Sequence, residues 1–436
     1  MKTEMVLVLC GTLVAVLSIS GGARSGEYDH TTASLSQGRS NIAATSVGNL
    51  AIFAGGSRRF GYSDVVDFYN ADSEAWTTGS LSIARTDAAA ASVGDLAFFA
   101  GGLGDNGVSD VVDIYDASTG SWTTANLSVP RSRVQAAAVG DLVLFAGGKT
   151  GTEDDAPKSD VVDIYDVGTG TWSTTTMPQP AILKAGTSAG TTFVFGGYHF
   201  YGSYDSVANT WDWRDGTMII DSGCSLGDQA ILASGWGHYE YTGWDDKVYL
   251  YDGTTGQWTD ASDTCPYHSG SDITALGRDV FIPSVYDVYV NGDLNWDYGP
   301  PNSGHLDLVR ANWLQTVTPG TQGDWTGDGI VNSADLDWVR SRWGYIGPDE
   351  QDLMNVLNLD TGTWTTEPIR TPKGYTRLNM AAVTVGDTVL FAGGELDFGG
   401  YSVVDIYTPA ASAVPEPSVW LAVACLFGAC GLWRRR

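Results

Sequence analysis

Asp324, Thr326, Asp328, Asn332 and Asp335 place side-chain oxygens along one short stretch, with Gly329 in the middle and the Ile330 carbonyl after it. Oxygen donors at alternating positions can wrap a hard cation, and a central glycine permits the sharp turn this needs, so the chemistry is calcium binding. Leu336, Val339 and Trp343 follow at helical spacing. A weaker copy precedes this stretch, with Asp293, Asn295 and Asp297 leading into a second helical pattern that ends at Trp313. There Tyr298 adds a residue, and His305 stands where a bidentate carboxylate is needed, which weakens that site. The expectation is one calcium site and a second, degenerate one.

The elements around this stretch read quite differently. VGNLAIFAGG, VGDLAFFAGG and VGDLVLFAGG begin at residues 47, 93 and 139, a period of 46. Each is followed by Ser-Asp-Val-Val-Asp-[Phe/Ile]-Tyr, then a turn and a Trp (Trp76, Trp122, Trp172). Degenerate copies carry Trp211, Trp258 and Trp364, and a last unit runs VGDTVLFAGG to SVVDIY. Four short alternating runs per unit, separated by Gly, Asp and Asn, describe the blade of a β-propeller. The paired Gly, the Tyr and the Trp resemble the kelch repeat, and the resemblance covers residues 30 to 407 outside one insertion. His30-Thr-Thr-Ala-Ser-Leu-Ser aligns with Trp76-Thr-Thr-Gly-Ser-Leu-Ser, so the N-terminal segment supplies the outer strand of the last blade. The fold class is therefore all-β: a seven-bladed kelch-type propeller closed by its N-terminal strand, with a small helical calcium-loop module inserted in blade 6. The repeated aspartates Asp67, Asp113, Asp163 and Asp405 read better as structural groups on third strands than as a catalytic ring.

Antiparallel blades fix which loops share a face. Alignment on the Gly that ends each innermost strand puts Arg39, Arg85, Arg131, Arg377 and His268 near a common channel mouth. Such a cationic ring would suit an anionic glycan or acidic peptide; the alternative is that each Arg binds loop carbonyls or a neighbouring Asp. Aromatic loops lie on the same face: Phe60 and Tyr62, Tyr198-His-Phe-Tyr201, a loop bearing Trp236, Tyr239, Tyr241 and Trp244, and Phe398 with Tyr401. Exposed aromatic clusters mark interaction surfaces, sugar platforms among them, although loop-on-loop packing uses them too. Cys224 and Cys265 fall toward opposite faces, so both are expected as free thiols.

The duplicated loop-and-helix unit, inserted between the second and third strands of blade 6, resembles a type I dockerin. That resemblance implies calcium in each loop and a cohesin-like partner, or else a compact structural unit.

Both termini read as addresses. The first 25 residues carry Lys2, an apolar run and small residues, the pattern of a secretory signal peptide. At the other end, Pro415-Glu416-Pro417 precedes an apolar run closed by three Arg, which resembles the PEP-CTERM sorting signal. It implies processing by an exosortase and membrane contact only through this tail, transient or permanent. With 51 acidic against 23 basic residues, a formal charge of -28, nucleic acid is a poor partner. The division expected is signal peptide 1–25, propeller 26–284, insert 285–350, propeller 351–409 and sorting tail 410–436. The leading expectation is an exported cell-surface or matrix protein that binds glycan or protein ligands without catalysis. The alternative is a carbohydrate-active enzyme, resembling kelch copper oxidases or sugar-acid epimerases. Its only candidate copper ligands on one face are His199, His238 and His268 with Tyr201 or Tyr241.

Overall fold

The computed structural model describes residues 28–234, 247–262, 272–284, 309, 311–317, 330–333, 353–369, 377, 379–396 and 399–410. Seven antiparallel sheets of these residues are the blades of a seven-bladed β-propeller, and a two-stranded ribbon, Leu103–Gly104 with Gly107–Val108, caps one of its loops. Innermost strands run Ala43–Val47, Ala89–Val93, Gln135–Val139, Ala185–Ala189, Ser222–Leu226, Thr274–Leu276 and Ala381–Val385. Each neighbours the next, and the last neighbours the first, so the ring is closed.

Short Gly-Asp and Gly-Asn turns leave these strands and return as apolar second strands such as Leu50–Ala54, Leu96–Ala100 and Leu142–Ala146. Their Phe53, Phe99, Phe145 and Phe391 are fully buried between blades. Each such burial contributes on the order of 1.5–3 kcal/mol. The Tyr of the third strand sits opposite the Trp of the fourth: Tyr69 on Trp76, Tyr115 on Trp122 and Tyr165 on Trp172. Their ring centroids are 5.1 Å apart in all three blades. Phe68 of blade 1 packs on Tyr115 of blade 2 at 5.0 Å, so the aromatic column also joins blades.

The N-terminal strand Tyr28–Arg39 pairs with Gly399–Pro409 and completes blade 7. His30 stands opposite Tyr407, in the register held by Trp elsewhere, and stacks on it at 4.8 Å. Its Nε2 lies 2.8 Å from Asp405 Oδ1. Tyr28 reaches one blade further, donating to Asp279 Oδ2 at 2.7 Å and packing edge-on against Phe281 at 4.9 Å. Asn358 Nδ2 satisfies the other Asp279 oxygen at 2.7 Å. Closure by the N-terminal segment, expected from the repeat register, is present and is latched onto blade 6.

Blade 4 departs from the pattern. A single run, Thr192–Asp205, serves as both middle strands: residues 192–196 pair the innermost strand and residues 198–205 pair the outer one. Its outer strand, Thr210–Ile219, extends well past the six residues of Ser121–Asn126 or Thr171–Thr176. No helical element is delineated among the described residues, so the helices expected of the insert find no support. What is described of the insert is an antiparallel bridge between Thr316 and Ile330, beside the buried Val309 and Val331.

Candidate functional site

The four repeated arginines do not form a cationic ring open to solvent. Arg39, Arg85, Arg131 and Arg377 are at most 1% exposed, and each makes an ion pair within its own blade, to Asp67, Asp113, Asp163 and Asp405. Each Arg leaves the blade-to-blade link and turns inward beneath the loop joining the second and third strands. Arg39 donates to Gly55 O at 2.7 Å and Val65 O at 2.6 Å, the two stems of that loop. Arg131 repeats this with Gly147 O and Val161 O, both at 2.7 Å. The second carboxylate oxygen accepts a backbone N–H from the incoming link: Ser36 to Asp67 at 3.0 Å, Ser82 to Asp113 at 3.1 Å, Ser128 to Asp163 at 2.9 Å. Burial pulls Arg39, Arg85 and Arg131 below the usual guanidinium range, and the facing Asp opposes that shift.

The paired glycines complete this arrangement. Gly56 N donates to Arg85 O at 2.9 Å, and Gly102 N to Arg131 O at 2.8 Å. A Cβ on Gly55, whose φ is +66°, would lie 2.6 Å from the Arg85 carbonyl. Only glycine permits both that conformation and that approach. Each link residue thus clamps its own blade by side chain and the preceding blade by carbonyl.

Blade 4 lacks the clamp and opens a cleft in its place. Ala181 stands at the Arg position and Gly202 at the Asp position. In blade 3, Asp163 faces Thr174 across the sheet; in blade 4, Gly202 faces Trp213. A large ring therefore fills the space that the ion pair occupies elsewhere. Trp213 stacks on Phe200 at 4.7 Å with 15° between planes, and packs on the buried Phe195 at 5.3 Å. The stack forms one wall of a cleft of about 420 Å³ lined also by Lys158, Gln179, Tyr198, His199 and Asp215. Tyr198 is 41% exposed there, and the Lys184 ammonium lies 5.0 Å from its ring centroid. Trp213 Nε1 donates to Asp215 Oδ1 at 3.2 Å, which orients both groups at the rim. His199 holds φ +64° in the turn between the two halves of the long strand.

Of the ligand-face residues read from sequence, Tyr198 lies in this cleft. Phe60 is 81% exposed on blade 1, with the Arg59 guanidinium 5.5 Å from its ring centroid. Trp236, Tyr239, Tyr241, Trp244 and His268 lie outside the described residues, as do Asp293, Asn295, Asp297, Asp324, Thr326, Asp328, Asp335, Pro415, Glu416 and Pro417. Of the calcium-loop residues, Ile330 and Asn332 are described, and Asn332 Nδ2 donates to Ile330 O at 2.9 Å. Cys224 is a free thiol, as expected from its place on an innermost strand. Lys158, Gln179, Trp213 and Asp215 were not singled out from sequence, although Thr210-Trp-Asp-Trp carries a signal: a second Trp where the other outer strands have Thr or Asp.

No protein-family model matches the chain, and no curated protein matches it.

Proposed function

We propose that the protein is an exported, non-catalytic binding protein of the kelch propeller type, whose ligand is a glycan held in the blade-4 cleft. The observation that carries this reading is the exchange of the repeat's buried ion pair for an aromatic wall facing solvent. In a purely structural blade, the Arg–Asp clamp would suffice. The repeated Gly-Gly, Tyr and Trp support the kelch assignment, and the calcium-ligand register at residues 324–335 supports a dockerin-like insert. The two terminal signals support export, exosortase processing and a cell-surface or matrix location. A cohesin-like partner for the insert belongs to the same reading.

Glycan-array binding followed by titration tests the cleft. Tyr198→Ala removes an exposed ring, so binding should fall at least tenfold with the melting temperature unchanged. Undiminished binding by that variant would remove the cleft from consideration. The insert is tested separately by calcium titration: the full chain should bind one calcium tightly, and Asp335→Ala should abolish that site.

A further inference from the structure

On the reading that the blade-4 cleft binds a glycan, we infer that its ligand is a neutral oligosaccharide segment rather than an acidic one. Two lining residues carry a permanent charge, Lys158 and Asp215, one of each sign. The cations beside the cleft are already matched. Lys184 Nζ lies 3.6 Å from Asp221, and Arg214 bonds Asp212 through Nη2 at 2.7 Å and Nε at 2.9 Å. No surplus positive charge therefore waits for a uronate or sulfate. The four arginines that would have supplied one are buried in their own ion pairs. The chain as a whole carries a formal charge of -28, which repels a polyanion at a distance.

What the cleft does offer suits hydroxyl groups over a flat C–H face. Tyr198, Phe200 and Trp213 supply the apolar surface. Lys158 donates and Asp215 accepts, while the Gln179 amide does both, the mixture that a neutral vicinal diol requires. A cleft of about 420 Å³ sits in the range of small-ligand sites, roughly 300–1,000 Å³.

The experiment is isothermal titration of the full mature protein with cellohexaose, mannohexaose and hexagalacturonate, each at 50 and 500 mM NaCl. We expect at least one neutral hexamer to bind at least tenfold more tightly than hexagalacturonate, with a Kd that changes less than twofold between the two salts. Tyr198→Ala and Asp215→Ala should each weaken that binding at least fivefold. Tighter binding of hexagalacturonate, lost at high salt, overturns the neutral-ligand inference and leaves the cleft as a glycan site. Failure of all three hexamers to bind, or binding that Tyr198→Ala leaves intact, overturns the cleft itself.

Discussion

Blades 1, 2, 3 and 7 carry the Arg–Asp clamp, and blades 4, 5 and 6 have lost both of its members together. The Arg and Asp positions read Ala181 and Gly202 in blade 4, Met218 and Tyr249 in blade 5, and His268 and Asn355 in blade 6. No blade retains one partner alone. That is the pattern expected of a buried ion pair, in which a single loss strands a desolvated charge but a joint loss does not. The three blades without the clamp are also those that diverge between their second and third strands. Blade 4 folds back through a tight turn at His199, blade 5 carries the aromatic segment 235–246, and blade 6 carries the insertion 285–350. The clamp explains the association, because its guanidinium bonds both stems of that loop. The clamped loops still vary, from six residues in blades 1 and 2 to ten in blade 3, but their stems are held in the same place.

The largest test of this contrast is to break one clamp unevenly. Asp113→Ala leaves Arg85 buried without its counter-ion and should destabilise the protein by about 3–5 kcal/mol. Arg85→Ala combined with Asp113→Gly, which copies the blade-4 pair, should cost clearly less than the sum of the two single changes. Thermal and denaturant unfolding of the three variants measures the difference. Additive losses would mean that the pair is not a unit. Hydrogen exchange should quicken in residues 103–110 of the double variant, whose loop stems are then unclamped.

Ring closure offers the next step down. Asp279 stands where blades 2 and 3 have Leu96 and Leu142, and its carboxylate is held by Tyr28 and Asn358. Burial pushes the Tyr28 hydroxyl well above its ordinary range, with the Asp279 hydrogen bond adding to the shift. Tyr28→Phe keeps the ring against Phe281 but removes one bond to a buried charge, an expected loss of about 1.5–3 kcal/mol. The cost should appear first as protease sensitivity of the N-terminal strand. Uniform loosening of all blades instead would show that the latch is not local.

A Cβ probes the opposite case, the aromatic wall of blade 4. A side chain at residue 202 would run into the backbone oxygen of Asp212 and the ring of Phe195. Gly202→Ala should therefore cost about 1–3 kcal/mol by overpacking. It should also weaken glycan binding, because Trp213 pairs directly with residue 202. Unchanged stability would show that the wall is looser than the ion pair it replaces.

Much of this was legible from one sequence because repeats act as an internal alignment. Three near-identical units set strand number and register, and the His30–Trp76 match sets the closing strand. Side-chain direction was harder to read. Alternation placed Arg39 and its counterparts near a channel mouth, but it carries no information on whether a link residue points outward or back under its own blade. The alternative reading, that each Arg binds loop carbonyls or a neighbouring Asp, is the one the structure shows, and matching the four arginines with the four aspartates blade by blade identifies the partner. The cleft is half visible in the sequence: Tyr198 stands out in an aromatic loop, whereas Trp213 lies two residues beyond Trp211, the tryptophan the repeat itself accounts for. Its register opposite Gly202 is that of Thr174 opposite Asp163 in blade 3, but neither a Trp nor a Gly stands at those positions in the clamped blades.

The smallest expected effect concerns blade 5, where Cys224 takes the place of Ala91 and Ala137 on the innermost strand. Surrounding protein pushes its thiol up to about 12. At pH 8 its thiolate population is then roughly a thousandfold below that of an ordinary thiol. Alkylation by iodoacetamide, followed at the Cys224 peptide, should be correspondingly slow in the folded protein and fast in urea. The sign of the linked stability follows from the same shift. Below about pH 7.5 both folded and unfolded thiols stay protonated, and Cys224 adds no pH dependence. As pH rises from there toward 12, the unfolded thiol ionises while the folded one cannot, so stability declines. Cys224→Ala installs the residue of blades 2 and 3 and should remove this alkaline component without altering stability at pH 7. An alkaline decline of the same size in the variant would place its origin elsewhere, and fast native labelling would show that blade 5 opens more readily than its clamped neighbours.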